Sequence, residues 1–178
     1  MVEMSRFRRA DAAAPQSQLG GCHFFQIGYV VGDIELAVGQ FTGMFGATIK
    51  DIICDMRDQN GEPSLIANLS HVLLNGVEIE LIEPRQGWSS VYGDGVPLPK
   101  SSIALHHFGF MAGDDRQWDA ATSIMAARGT RVAMSADLPT VRLTYYDTRA
   151  SLGHYTELVQ RRAIEQTADR TAKQGPRP

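Results

Sequence analysis

The pattern of apolar and polar positions predicts the same order of elements twice along the chain. Apolar, β-branched and aromatic residues run densely from His23 to Val31, which is typical of a strand. Apolar residues in the next segment recur at helical spacing, which predicts a helix over 34–45. Three further strand patterns follow before the order repeats. The predicted strands are 23–31, 47–56, 64–74, 77–82, 104–112, 130–135, 141–147 and 154–160, and the predicted helices are 34–45 and 114–128.

Short signals predict where these elements begin and end. Asp33 and Asp114 each precede a helix, where a carboxylate accepts a hydrogen bond from the free amides of the first turn. Gly46 is typical of the residue that ends a helix. Asn75-Gly76 is a strong two-residue hairpin signal. Each half therefore has the order β-α-β-β-β.

Segments that show no periodic pattern of apolar residues separate and flank the two modules. The loop between the modules is about twenty residues long, and loops of that length in compact domains are often functional. Its Trp88 and Tyr92 either fold over a pocket or pin the crossover onto the core. The predicted segments are a disordered N-terminal arm (1–21), a first module (22–84), a linker or lid loop (85–103), a second module (104–161) and a polar C-terminal tail (162–178) that opens with a short helix.

Composition and charge exclude several classes of protein. Of 178 residues, 43% are hydrophobic and 21% are charged, which is typical of a globular protein. The formal net charge of −3 offers no basic field for nucleic acid, and no apolar run approaches the roughly 20 residues that span a bilayer. The N-terminus lacks the apolar segment of a signal peptide, and Cys22 and Cys54 show no CxxC spacing. We therefore expect a cytoplasmic protein with reduced thiols.

The repeat also duplicates polar residues at matching positions. Gln26-Ile27-Gly28-Tyr29 in the first half matches His107-Phe108-Gly109-Phe110 in the second. The closing strands match as well, with Glu80-Leu81-Ile82 against Glu157-Leu158-Val159. Each half thus contributes one polar residue on its first strand and one carboxylate on its last.

Strand alternation predicts which of these residues share a face. Successive side chains in a strand point to opposite faces, so Gln26 and Glu80 lie opposite the apolar positions that face the helices. His107 is expected on the same face because it matches Gln26 in the repeat, whereas His106 is expected to point to the opposite face. His106 takes the place of His107 only if the register is off by one. Three histidines without a repeat partner are interpreted as structural or surface residues: His23, His71 and His154.

With these motifs the chain resembles the vicinal oxygen chelate superfamily, which includes glyoxalase I, methylmalonyl-CoA epimerase, extradiol dioxygenases and fosfomycin or bleomycin resistance proteins. The resemblance covers residues 23–160. It implies an α+β fold in which two tandem βαβββ modules form a U-shaped, metal-holding β-sheet cavity. Carried over residue by residue, it implies four metal ligands: Gln26, Glu80, His107 and Glu157.

The type of each ligand bears on the subfamily. The order Gln, Glu, His, Glu is similar to that of the zinc-type glyoxalase I. The phrases IELIEP at 79–84 and LHHFGF at 105–110 look more like methylmalonyl-CoA epimerase. In that epimerase the ligands are usually His, Gln, His and Glu, so positions 26 and 80 differ from its pattern.

The resemblance implies an enzyme that uses one divalent metal ion. One imidazole, one amide and two carboxylates suit Zn, Ni, Co or Mn. We predict an isomerase or lyase of the glyoxalase or epimerase type, moving a proton α to a metal-bound carbonyl of a small thioester, hemithioacetal or ketone. Glu157 is the predicted base, with Glu80 as its partner. We expect a small-molecule substrate, no nucleic-acid or membrane partner, and a homodimer, since relatives are commonly dimers.

Two other functions stay open on the sequence. One is a non-catalytic, resistance-type protein that keeps the cavity and loses the metal, against which the four intact ligand positions argue. The other is a ring-cleavage dioxygenase. That chemistry needs two His and one carboxylate around iron, so Gln26 disfavours it.

Overall fold

Residues 19–162, the part of the chain that this computed structural model describes, form eight strands and three helices. The strands are β1 (His23–Val31), β2 (Thr48–Ile53), β3 (Ile66–Leu74), β4 (Val77–Pro84), β5 (Ile103–Met111), β6 (Val132–Asp137), β7 (Val141–Tyr146) and β8 (Tyr155–Arg161). The helices are α1 (Ile34–Phe45), α2 (Asp115–Ala127) and the single turn α3 (Arg149–Leu152). Only α3 has no counterpart in the predicted pattern, because one helical turn is too short to show a period.

The predicted caps and turn form as their chemistry requires. The Asp33 carboxylate accepts a hydrogen bond from the backbone amide of Leu36 at 3.1 Å, and Asp114 caps α2 in the same way at 2.8 Å. Asn75 and Gly76 have φ angles of 50° and 87°, as a type I′ hairpin turn requires. Local sequence therefore determines these boundaries.

All eight strands belong to one sheet with the order β2-β3-β4-β1-β5-β8-β7-β6. In each module the first and last strands run parallel as neighbours, β1 beside β4 and β5 beside β8. The two first strands pair antiparallel at the centre. The predicted α+β fold with two βαβββ modules is confirmed, and the four strands expected to carry polar ligands are central neighbours.

The two faces of the sheet have different contents. One face, here called the helix face, packs against both helices: Ile79 and Leu81 lie in the cluster under α1, and Leu158 lies in the cluster under α2. The opposite face, here called the inner face, carries a third apolar cluster that includes Tyr92 and Tyr145. The polar positions of the same strands lie on the inner face beside this cluster.

Two β-bulges change the alternation that the sequence predicts. On β5, Gly28 of β1 pairs with His107 while Tyr29 pairs with Leu105, so His106 is an extra residue. On β1, Phe25 is the extra residue at the matching position of the repeat. The expectation that His106 points to the opposite face from His107 is therefore wrong, because the bulge turns both imidazoles to the inner face.

The N-terminal edge of the described residues is ordered. Leu19 packs against the cluster under α2, and Gly20 sits so close to that helix that a Cβ there would lie 2.5 Å from the backbone nitrogen of Ala121. Residues 19–21, which we assigned to a disordered arm, thus form a turn against α2. The rest of that arm, and the predicted tail helix with residues 163–178, lie outside the described residues. Within 19–162, none of the helices has the length and hydrophobicity that crossing a membrane requires.

Candidate active site

Four polar residues from the four central strands meet on the inner face. Gln26 lies on β1, Glu80 on β4, His107 on β5 and Glu157 on β8. In the register of the sheet, Gly28 is the partner of both Glu80 and His107. Strand order and register thus bring together the residues that the repeat singled out.

The repeated glycine makes room for the ligand position of the other module. A Cβ at Gly28 would lie 1.8 Å from Cε1 of His107, inside the imidazole ring. A Cβ at Gly109, the matching position of β5, would lie 3.0 Å from Cβ of Gln26. Neither glycine has a positive φ, so close side-chain approach explains the residue type.

Three buried atoms of this group converge without a hydrogen-bond partner. Nε2 of His107 lies 3.4 Å from Oε2 of Glu80 and 3.3 Å from Oε2 of Glu157. None of the three atoms makes a hydrogen bond within residues 19–162. Buried polar atoms are nearly always satisfied, because leaving one unpaired costs about 1–3 kcal/mol. Three such atoms at one point form a candidate site for a positive charge, either a protonated His107 or a bound cation.

The histidines and carboxylates of this group shift one another's pKa values. Burial opposes a positive imidazole, but the close contact with Glu157 and the charges of both carboxylates outweigh it and raise the pKa of His107. Burial likewise opposes a charged Glu80, but His71, His107 and Gln26 together lower its pKa. The site is therefore built for negative carboxylates around a positive centre.

His71 reaches the site from β3 and was missed by the sequence analysis. Its Nε2 lies 3.4 Å from Oε1 of Glu80, and its Nδ1 lies 2.8 Å from Oδ1 of Asp51 on β2. Burial lowers the pKa of His71, but the two carboxylates outweigh burial and raise it to about 9. The sequence did not predict this contact with Glu80, and the interpretation of His71 as a structural or surface residue stays a prediction. The repeat did not mark this residue, because the second module has Tyr145 at the position that corresponds to His71.

His106 lies behind His107 and faces away from the carboxylates. Its Nδ1 is 3.0 Å from Nδ1 of His107, and its Nε2 is 3.0 Å from the carbonyl oxygen of Val91. Both ring nitrogens are thus occupied, whereas Nε2 of His107 points at Glu80 and Glu157. Of the two histidines, the geometry favours His107 as the ligand.

The loop between the modules closes one end of the inner face. Tyr92 is 8% exposed and its ring lies 5.3 Å from that of His106 and 6.0 Å from that of Tyr145. Trp88 is 42% exposed. The two aromatics therefore differ: Tyr92 is buried beside the site, and Trp88 lies at the surface of the loop.

The other end of the inner face holds a cavity of about 450 Å³. Its walls include Phe25 and Met111, from strand positions near Gln26 and Gly109, and it extends to Glu78 and Arg161. Glu78 is paired with Lys50. The cavity therefore combines apolar walls with charged groups, and none of the four polar residues lines it.

The donor set fits a divalent ion. Within residues 19–162, no group of three or more His, Cys, Asp or Glu side chains is arranged so that it could hold a metal ion without rearrangement. However, donors at about 2.0–2.2 Å from a tetrahedral Zn²⁺ are roughly 3.3–3.6 Å apart. The contacts of His107 Nε2 with Glu80 and Glu157, at 3.4 and 3.3 Å, match that spacing.

The chain belongs to the Glyoxalase/Bleomycin resistance protein/Dioxygenase superfamily, whose family model matches residues 25–142. This confirms the predicted membership of the vicinal oxygen chelate superfamily. No curated protein sequence matches the chain.

Several solved structures share this fold. Methylmalonyl-CoA epimerase from Mycobacterium tuberculosis is 16% identical, with a TM-score of 0.59 and coverage of 84% of this chain and 93% of that one. A methylmalonyl-CoA epimerase in complex with methylmalonyl-CoA and NH4+ is 20% identical, with a TM-score of 0.58 and coverage of 80% and 96%. A Streptomyces coelicolor methylmalonyl-CoA epimerase variant in complex with 2-nitronate-propionyl-CoA is 19% identical, with a TM-score of 0.56 and coverage of 79% and 95%. At such identities the likeness concerns the fold.

Proposed function

We propose that the protein is a divalent-metal-dependent isomerase or lyase of the glyoxalase or epimerase type, which transfers a proton α to a carbonyl. The observation that carries this proposal is the convergence of Glu80, His107 and Glu157 through buried atoms that lack hydrogen-bond partners. Gln26, at 3% exposure beside them, completes a set of four donors. Zn, Ni, Co or Mn suits a mixed nitrogen and oxygen set of this kind.

Those four residues would hold the ion. When bound, the ion would act as a Lewis acid that polarises the carbonyl and stabilises the negative charge left when the α-proton departs. The protein contributes a buried site in which that charge is poorly screened, and this strengthens the stabilisation.

The two carboxylates have different surroundings, which supports different roles. Glu80 is held by His71 and Gln26, and its lowered pKa makes it a weak base that suits a fixed ligand. Glu157 has His107 as its charged contact within the described residues. It is therefore freer to detach, take the α-proton and return it. Glu80 is the second base in a two-base version of the scheme.

The cavity at the open end supports a substrate with an extended tail. Two fold relatives are described in complex with acyl-CoA compounds, methylmalonyl-CoA and 2-nitronate-propionyl-CoA. We therefore place small acyl thioesters first among the substrates to test, followed by hemithioacetals and ketones. The apolar walls at Phe25 and Met111 suit the carbon part of such a tail.

The replacement Glu157→Gln tests the proposed function. Removing the base while keeping a ligand oxygen should slow solvent deuterium uptake at the α-carbon by about 10²–10⁴-fold. Elemental analysis of purified wild-type protein should find one divalent ion per chain. Glu62→Gln, a change at an exposed carboxylate of the β2–β3 turn, is the matched control and should exchange like wild type.

Other outcomes would favour other functions. A metal-free wild-type protein that binds small molecules equally well with and without Glu157→Gln would indicate a non-catalytic binding protein. Oxygen consumption with a catechol, without deuterium exchange in any thioester, hemithioacetal or ketone, would indicate a dioxygenase. A homodimer and a cytoplasmic location stay predictions, and sedimentation of the purified protein tests the first.

A further inference from the structure

We propose that His106 is a positioning residue that fixes the tautomer of His107, so that the lone pair on Nε2 of His107 faces Glu80 and Glu157. His106 thereby connects the backbone of the loop between the modules with the candidate ligand. The hydrogen-bond assignment stands on the structure alone, and its effect on metal binding rests on the proposed function.

When both imidazoles are neutral, as His107 must be at Nε2 to bind a metal ion, the chain of contacts allows one assignment of hydrogens. The carbonyl oxygen of Val91 only accepts hydrogen bonds, so Nε2 of His106, 3.0 Å away, donates. A neutral His106 then has a bare Nδ1, which accepts. The Nδ1 atoms of His106 and His107 are 3.0 Å apart, so the hydrogen between them belongs to His107. With that hydrogen on Nδ1, Nε2 of His107 is the nitrogen that carries the lone pair.

Burial supports a neutral His106. The residue is 7% exposed and is surrounded by the rings of Tyr92, Tyr145 and Tyr155, at centroid distances of 5.3, 5.5 and 4.9 Å. An apolar, largely dry surrounding of this kind disfavours a charged imidazole. The aromatic rings also hold the imidazole plane, so that both of its hydrogen bonds are maintained together.

The two modules have different residues at the bulge position, and the difference agrees with the positioning role of His106. The bulge residue of the first module is Phe25, which stands beside Gln26 and has no ring hydrogen bond to offer. An amide needs no such partner, because its donor and acceptor atoms are chemically distinct. An imidazole has two nitrogens that exchange roles, and ligand histidines usually have the second nitrogen held by a hydrogen bond. The histidine bulge therefore occurs where the ligand is a histidine.

Nitrogen NMR of histidine-labelled, metal-depleted wild-type protein tests the assignment directly. We expect a protonated Nδ1 on His107 that is coupled through a hydrogen bond to an unprotonated Nδ1 on His106. A protonated Nδ1 on His106, or no coupling between the two nitrogens, would overturn the proposal. This measurement needs no metal and no activity.

Titration with Co²⁺, followed by its visible absorption, tests the consequence for binding. His106→Phe keeps the ring and removes both hydrogen bonds, and should weaken Co²⁺ binding by about 10–100-fold. His106→Asn places an amide oxygen near the former Nδ1 and should restore binding to within a few-fold of wild type. His154→Phe, the same change in a buried histidine that packs against Phe108, is the matched control and should bind like wild type.

The results separate the two proposals. Equal Co²⁺ affinity of wild type and His106→Phe would overturn the positioning role and leave the proposed function intact. A wild-type protein with the predicted nitrogen coupling but no affinity for Co²⁺, Zn²⁺, Ni²⁺ or Mn²⁺ would overturn the proposed function and leave the assignment standing. If His106→Phe does not fold, Co²⁺ binding by His106→Asn and the nitrogen NMR spectrum of the wild-type protein still test the positioning role.

Discussion

Single residues decide which side chains fit over the central strands on the inner face. His107 occupies the space above Gly28, and Gln26 occupies the space beside Gly109. These positions were recognisable because the chain repeats them. His71 and His106 were not, because their contacts depend on cross-strand register and on a bulge. Sequence reasoning therefore found the duplicated members of the candidate site and missed the residues that differ between the modules.

Gly28→Ala should disrupt the site at its centre. The new methyl group would overlap the His107 ring, so the imidazole must move, and we expect loss of the proposed metal binding with destabilisation of about 1–3 kcal/mol. Urea unfolding and metal titration measure the two effects. Gly39→Ala is the control, because nothing lies within 4 Å of a Cβ at Gly39 in α1. That change should stabilise the protein by about 0.5–1 kcal/mol. Normal metal binding by Gly28→Ala would contradict the geometry.

Strands, bulges and the long loop determine which face each side chain reaches. The strands were predictable to within a few residues, because alternating apolar positions persist over their length. The bulges at Phe25 and His106 were not predictable. One extra residue hardly changes the pattern of apolar positions, but it moves a side chain to the other face of the sheet. The loop was predictable as irregular. Only packing shows that Tyr92 is buried and that the Val91 carbonyl contacts His106.

Tyr92→Ala should reveal how far the loop depends on its buried ring. Removing a ring packed against His106 and Tyr145 leaves a cavity, and we expect a loss of about 3–5 kcal/mol in the free energy of unfolding. Trp88→Ala removes the exposed aromatic of the same loop and should cost less than about 1 kcal/mol. Urea unfolding of both variants gives the comparison. Equal losses would contradict the different burial of the two rings.

The whole sheet brings residues together that are far apart in sequence. Pairing of β1 with β5 joins the modules, and parallel pairing with β4 and β8 adds one carboxylate from each side. The two modules have the same backbone arrangement but different side chains beside the carboxylates. In the first module His71 is the cross-strand partner of Glu80, and in the second module Tyr145 is the partner of Glu157. This asymmetry gives the two carboxylates different partners, which agrees with the distinct roles proposed for them.

The stability of the metal-depleted protein should fall as pH rises between about 6.5 and 9. His71 has a pKa raised from 6.5 to about 9 by Glu80 and Asp51, so its contribution is complete below 6.5 and disappears as pH passes 9. The contribution is on the order of 3 kcal/mol. Urea unfolding at several pH values measures it, and His71→Gln should flatten the curve in that range. An unchanged slope in the variant would show that another group is responsible.

The sequence by itself determined the repeated order of elements, the helix caps, the hairpin turn and the duplicated polar positions. Those features depend on residues near one another in the chain, so local chemistry and periodicity are enough to reveal them. Only the tertiary structure decided that His106 turns to the inner face, that His71 meets Glu80, and that Tyr92 closes one end of the site. The reason is physical: these contacts depend on strand register and on burial, which arise when distant segments pack together.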